Sequence, residues 1–284
     1  MSAVLTIPAV DYHADEVADK PTLSKSIAHK LITQSPLHAW TAHPKLNPSF
    51  VRKEEDKFDV GTAAHALMLE GDDGVYVVQA DDWRTKAAKE ARDYARSMGR
   101  IPLLGKHWDD VRAMVDAARS QLDRISVSPP LFTDGKTEQT LVWDEGGVTC
   151  KARLDHLRDD LTAIDDYKTT GRSAGPQQWS RSMFGMGFDL QVAFYLRGLK
   201  AVTGAEADFR FFVQETFEPY AGCVFTLGPD ALTLAQEKVQ FAIDVWRRCL
   251  ERDEWPAYPS RVCSVGSLPW ADAEWFDREA RDAA

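Results

Sequence analysis

The chain of 284 residues sets 34 Lys and Arg against 44 Asp and Glu, a formal net charge of −10, with 44% hydrophobic and 27% charged residues. These proportions exclude a disordered or collagen-like chain, and the length suits one elaborated domain or two small ones. No run approaches the roughly eighteen apolar residues of a membrane span. The opening MSAVLTIPAVDYHADEV lacks the basic and apolar regions of a secretion signal, so a cytoplasmic protein is expected.

An acidic balance does not exclude nucleic acid as a partner, because phosphate contacts are local and metal-dependent nucleases carry carboxylates. Cys150, Cys223, Cys249 and Cys263 are far apart and form no C-x-x-C. They read as reduced, mostly buried thiols, not as a zinc, iron–sulfur or disulfide framework.

Residues 1–20 are expected to be extended or loose. Ser24 is suited to cap a short helix carrying Ile27, Leu31 and Ile32 that stops near Ser35-Pro36. The pattern predicts a helix from about Phe58 to Leu69, a strand at 75–79, and helices over 83–98 and 106–124. Residues 137–168 then read as three antiparallel strands joined by two tight turns. Helices at 176–186 and 189–202, strands at 207–216 and 219–226, and a long helix over 229–252 follow. The tail, 253–284, with Trp255, Trp270 and Trp275, is expected to pack back on the body. This order predicts an α+β fold.

The three central strands carry the chemistry. Side chains alternate along a strand, so Lys151, Arg153 and Asp155 are expected on one face, and Asp166 and Lys168 on one face of the next strand. Across a turn of two or four residues, facing positions have numbers of opposite parity. Asp155 and Asp166 satisfy this, directly opposite at about 5 Å between Cβ atoms for a four-residue turn, while Asp165 does not. Carboxylates so close repel unless a cation sits between them, and Mg²⁺, with Mn²⁺ as a substitute, is the natural occupant. Lys168 would then orient or deprotonate the attacking water and offset charge in the transition state.

This hairpin, preceded by Gly-x-x-x-His and followed by Gln-x-x-x-Tyr, resembles the PD-(D/E)xK nuclease superfamily. The segments FDVGTAAHALMLEG (58–71), CKARLDHL (150–157), IDDYKTTGRSAGPQQW (164–179) and FDLQVAFYLRGL (188–199), with TLSKSIAHKLITQSPLHAW (22–40), are similar to the nuclease domain of the RecE-type exonuclease VIII family of phages and prophages. The similarity spans about 22–250. It implies a PD-(D/E)xK core with a central, mostly antiparallel-led mixed sheet flanked by helices, occupying 21–252 between a loose N-terminal segment and the Trp-rich tail.

By this resemblance Asp155 and Asp166 would be metal ligands, Lys168 the catalytic lysine and His65 the histidine at the metal site. Gln191 and Tyr195, one turn apart on a helix, would touch the DNA backbone, and Glu138 would be an accessory acid. The Tyr167 carbonyl is a further candidate ligand, because that role needs no side chain. Ser24 and Ser26 are candidate phosphate contacts, with helix capping the alternative for Ser24 and core packing the alternative for Tyr195. Lys151 and Arg153 are candidate DNA contacts from their expected strand face.

The implied activity is a Mg²⁺-dependent exodeoxyribonuclease on linear double-stranded DNA, working 5′ to 3′ and leaving 3′ single strands for recombination with a single-strand annealing protein. The resemblance also implies a homo-oligomeric ring around DNA. Two alternatives stand beside it: a structure-specific or single-strand nuclease in repair or defence, and a catalytically silent DNA-binding or assembly subunit.

Overall fold

The computed structural model describes residues 2–51 and 60–282. In chain order the elements are β1 (Ala3–Leu5), α1 (Ala9–Ala14), β2 (Leu23–Ser24), α2 (Lys25–Thr33), α3 (Pro36–Thr41), α4 (Val60–Glu70), β3 (Val75–Val78), α5 (Lys86–Ser97), β4 (Ile101–Leu104), α6 (Trp108–Leu122), β5 (Gly135–Glu145), β6 (Val148–Arg158), β7 (Ala163–Thr170), α7 (Pro176–Gly185), α8 (Phe188–Thr203), β8 (Asp208–Glu215), β9 (Gly222–Phe225), α9 (Pro229–Arg252) and α10 (Pro269–Asp282). The expected helix start at Phe58 lies outside the described residues. None of the described helices is long and apolar enough to cross a membrane.

The central sheet is mixed, in the order β1-β5-β6-β7-β8-β9, with β2 added beside β6. The hairpins β5–β6, β6–β7 and β8–β9 are antiparallel, whereas β7 and β8 run parallel from Ala163↔Asp208 to Thr170↔Glu215. The chain crosses over between them through α7 and α8, as a parallel pair requires. A separate two-stranded parallel sheet, β3–β4, was not expected at its second strand, Ile101-Pro102-Leu103-Leu104, which is too short to show a period.

Two cores flank the sheet. The larger sets Leu141, Trp143, Cys150 and Leu154 against Phe194 and Leu199 of α8 and Ile243 and Trp246 of α9. The smaller sets Tyr167 and Phe212 against Ala63, Ala64 and Leu67 of α4 and Val111, Met114 and Val115 of α6. Helix α6 keeps its apolar positions at the expected helical spacing.

The two ends of the chain depart from expectation. Residues 3–5 extend the sheet edge by pairing with Leu141 and its neighbours, and α1 lies over β6, so this segment is ordered. At the other end Trp255 packs edge-on against Trp246 with ring centroids 5.2 Å apart, but no residue of α10 is buried. Cys150 and Cys249 are buried, Cys223 is half-buried and Cys263 is exposed, all as free thiols.

Candidate active site

One edge of β6 changes partner along its length. At its C-terminal end His156 and Leu157 pair with Asp165 and Ile164 of β7. Toward its N-terminal end Cys150 and Lys151 pair instead with Leu23 and Ser24 of β2. Between these contacts β7 splays away, and Asp155 stands at the opening. The four-residue turn 159–162 sets the register that places Asp166 opposite Asp155.

Where the next ladder bond would fall, a side chain takes over: Tyr167 N donates to Asp155 Oδ2 at 2.9 Å. The same oxygen lies 3.0 Å from His65 Nε2. His65 is carried on α4, whose alanine face packs into the smaller core, and its ring stacks on Tyr167 at 5.8 Å and 12°. Lys168 Nζ lies 3.9 Å from Asp155 Oδ2 and forms a closer ion pair with Asp166 Oδ1. Gln191 Nε2 donates to Asp166 Oδ2 from α8.

Burial penalises both charged carboxylates, with opposite outcomes. At Asp155, Lys168, His65 and the Tyr167 amide overcome that penalty and hold the acid below its ordinary range. At Asp166, burial and the charge of Asp155 prevail and raise it. Burial works against the Lys168 ammonium, but Asp166 and Asp155 outweigh it and hold the group above its ordinary value. His65 is likewise raised: burial opposes its charge and Asp155 outweighs burial.

Among the described residues no group of three or more His, Cys, Asp or Glu is arranged to hold a metal alone. A magnesium-type site needs less, because one or two carboxylates suffice when water and substrate phosphate supply the remaining oxygens. The donor set fits that requirement. Among the described residues Asp166 Oδ1 is buried with no hydrogen-bond partner, and it meets the Lys168 ammonium as an ion pair.

Not every expected site residue converges here. Asp155 and Asp166 lie on a largely buried face, not a solvated one, since Asp166 is 0% exposed. Lys151, expected to face DNA, is instead buried: α1 folds over its strand face, and its Nζ donates to Tyr12 O and Asp15 Oδ1, each at 2.6 Å. Arg153 is half-buried, paired with Glu138 and bonded to Ile7 O at 2.9 Å. Gln191, expected at the DNA backbone, is 4% exposed and spends its amide on Asp166. Tyr195 packs edge-on against Phe209 at 6.1 Å, in keeping with the core alternative. Ser24 is the N-cap of α2, accepting from Ile27 N at 3.5 Å, while exposed Ser26 meets its hydroxyl at 3.1 Å.

Glu138 has the register position across from Asp155, with a left-handed backbone (φ 55°) that interrupts the β5–β6 ladder there. Asp165 points away from the site. Arg210 Nε donates to its Oδ1 at 2.6 Å, Arg210 Nη2 to its Oδ2 at 3.0 Å, and Phe132 N to Oδ2 at 2.8 Å. The parity reading therefore selects the correct member of the Asp165-Asp166 pair to face Asp155.

Two charged residues went unnoticed in the sequence. Lys25, the first residue of α2, places Nζ 5.0 Å from the centroid of Phe188, the ring that Lys168 Nζ approaches at 5.7 Å. Its Nζ also donates to Met186 O at 3.1 Å. Burial, and then the charge of Lys168, lowers Lys25 to about 8. Glu70, at the end of α4, is raised by burial and by Glu138. The only sequence signal for Lys25 was its place at a helix start between two candidate phosphate-binding serines.

The sequence matches the family described as "PDDEXK-like domain of unknown function (DUF3799)" over residues 26–266. The chain belongs to this PDDEXK-like family. Asp155 and Asp166-Tyr167-Lys168 are the acid and the acid-x-lysine that this sequence offers for such a motif. A crystal structure from Eubacterium rectale, named "putative exonuclease", shares the fold at a TM-score of 0.61 and 13% identity, covering 93% of this chain and 97% of that one. A second solved structure, SSO0001, aligns at a TM-score of 0.28 and 15% identity over 75% of this chain and 92% of that one. No curated protein matches the sequence. The PDDEXK-like fold thus accounts for the mixed sheet, the flanking helices and the hairpin on which the two carboxylates meet.

Proposed function

We propose that the protein is a Mg²⁺-dependent exodeoxyribonuclease that degrades linear double-stranded DNA from its 5′ ends, leaving 3′ single strands for recombination with a single-strand annealing protein. The observation that carries this reading is the convergence of Asp155, Asp166 and Lys168 at the split between β6 and β7 of a PDDEXK-like fold. The motif order of the exonuclease VIII family and the exonuclease name of the Eubacterium rectale neighbour support the exonucleolytic mode.

Asp155 and Asp166 would hold the divalent cation, with the Tyr167 carbonyl as a further oxygen donor. When bound, that ion polarises the scissile phosphate and eases ionisation of the attacking water. The protein's own residues do the positioning. His65 and the Tyr167 amide fix the Asp155 carboxylate, and the Gln191 amide fixes Asp166. Lys168 keeps its Nζ proton and offers positive charge where negative charge accumulates on the phosphate in the transition state.

Digestion of end-labelled linear duplex with Mg²⁺, beside a covalently closed circle, tests the proposal. Release of 5′ label with the circle intact is the expected result. Nicking of the circle would replace it with an endonuclease reading, and no cleavage of either substrate would leave the DNA-binding subunit.

A further inference from the structure

A cleft of about 940 Å³ opens beyond the carboxyl end of β7, with Thr169, Arg172, Trp179, Arg181, Met186 and Phe188 among its lining residues. It adjoins the candidate active site through one shared wall. Phe188 forms part of the cleft, and its ring is approached from the site by both Lys168 and Lys25. The corner that seats this ring is fixed by Gly187, at φ 67°, where a Cβ would stand 2.4 Å from the His29 ring. Trp179 backs this wall, stacking on Phe188 at 5.5 Å and 19°.

The cleft's charges are free to act. Arg172 and Arg181 are exposed, and among the described residues neither side chain takes part in an ion pair or hydrogen bond, although the chain has an excess of acids. Most other cations near the site are committed: Arg153 to Glu138, Lys151 to Asp15 and Lys238 to Asp189. Trp179 is 2% exposed and gives the cleft part of its aromatic wall.

We infer that this cleft is a subsite for a single nucleic-acid strand, in which Arg172 and Arg181 hold backbone phosphates adjacent to the one at Lys168, and Lys25 bridges the two compartments. Free guanidiniums, polar Gln177, Gln178, Ser173 and Ser182, and an aromatic wall are the parts of a groove that tracks a single-stranded backbone. Sites for drug-sized molecules run from about 300 to 1,000 Å³, so the cleft takes a few nucleotides of one strand and is too small for a duplex. The inference rests on the nuclease reading and adds where the strand runs.

The test is the affinity of the full chain for 3′-labelled oligothymidylates of two and eight nucleotides, by fluorescence anisotropy with Ca²⁺ in place of Mg²⁺. In an Arg172→Ala/Arg181→Ala double variant the eight-mer should bind at least about tenfold more weakly. The two-mer has one internucleotide phosphate, which the site at Lys168 takes, so it should bind as before. The slope of log affinity against log salt for the eight-mer should become shallower by about 1.4, or 0.7 for each lost phosphate contact. Both arginines are exposed, so the variant should unfold at the wild-type temperature. Unchanged eight-mer affinity, or equal losses at both lengths, would overturn the subsite. Wild-type cleavage of linear duplex in Mg²⁺ is scored separately. A chain that discriminates length through these arginines and cuts nothing retains the subsite and loses the nuclease reading.

Discussion

Asp155 Oδ2 accepts the backbone N–H of Tyr167 at 2.9 Å, where β6 and β7 have parted too far for a ladder bond. One carboxylate thus closes the sheet locally and faces the site, so its two roles are separable. Asp155→Asn keeps an acceptor for the amide and loses the charge. It should abolish cleavage, by about three orders of magnitude or more, while the unfolding temperature moves little. Asp155→Ala also strands the Tyr167 amide, which costs about 1–3 kcal/mol. Thermal unfolding beside a cleavage assay separates these effects, and substantial cleavage by either variant removes Asp155 from the site.

Neighbouring acids should respond in opposite ways. Asp165→Asn breaks a buried pair with Arg210 and leaves that guanidinium uncompensated, at a cost of about 3–5 kcal/mol. Asp166→Asn removes an anion that burial and Asp155 disfavour, and it leaves Lys168 with Asp155 at 3.9 Å as a partner, so its loss of stability should be the smaller of the two. Activity should vanish in the Asp166→Asn variant and persist, in proportion to folded protein, in the Asp165→Asn variant. Chemical denaturation of both at pH 7 is decisive, and a stability loss confined to Asp166→Asn would reverse the assignment.

The sequence revealed the hairpin and the facing acids because period-two alternation and turn length act locally. The helices α6, α8 and α9 were legible for the same reason at period 3.6. Lys151 was misread because strand parity gives a face, not what covers it, and its cover, α1, comes from residues 9–14, whose pattern is too short to read. Strict alternation also fails locally. Leu154 and Leu157, three positions apart, both enter the larger core, so the faces exchange beside Asp155, across from the left-handed Glu138. Gln191 was placed on the correct helix face, but whether an amide meets a carboxylate or a phosphate depends on depth. Lys25 carried no pattern, since its place is set by β2 pairing with β6, far along the chain.

His65 Nε2 touches Asp155 Oδ2 at 3.0 Å, and in the proposed nuclease it would act through that carboxylate. Residues that orient a ligating carboxylate typically contribute about 10–100-fold in metal affinity or activity, and His65→Ala should fall in that range. The loss should be largest at low Mg²⁺ and shrink as the ion is raised, which a titration of cleavage rate against Mg²⁺ will show. A loss independent of metal concentration would instead assign His65 to packing against Tyr167.

Lys25 should make strand binding sensitive to mild alkali. Burial and Lys168 lower its ammonium to about 8, so it is charged below that pH and neutral above it. Affinity for the eight-mer in Ca²⁺ should therefore fall about five- to tenfold between about pH 7 and 9.5, with a midpoint at or above about 8, because a bound phosphate favours the charged form. Lys25→Arg keeps its charge throughout this range and should flatten the curve. A wild-type curve already flat would remove Lys25 from the strand path.

The C-terminal arm should be dispensable for folding and needed for assembly. The body's last anchors are Trp255 on Trp246, Leu37 N donating to Pro256 O at 3.1 Å, and the ring contact of Tyr258 with His38 at 5.5 Å. Beyond them Trp270, Trp275 and Phe276 are 66%, 58% and 64% exposed on a helix with no buried residue. Removing 260–284 thus takes away little that is buried on folding, and the unfolding temperature should change by no more than about 2 °C. Aromatic residues so exposed on one helix are costly in water unless another surface covers them. With the homo-oligomer implied by the exonuclease VIII resemblance built through this arm, the full chain should scatter light as a multimer and the truncated chain as a smaller species. Equal masses for the two would leave the arm without a part in assembly, and a large drop in unfolding temperature would show that it folds onto the body in solution.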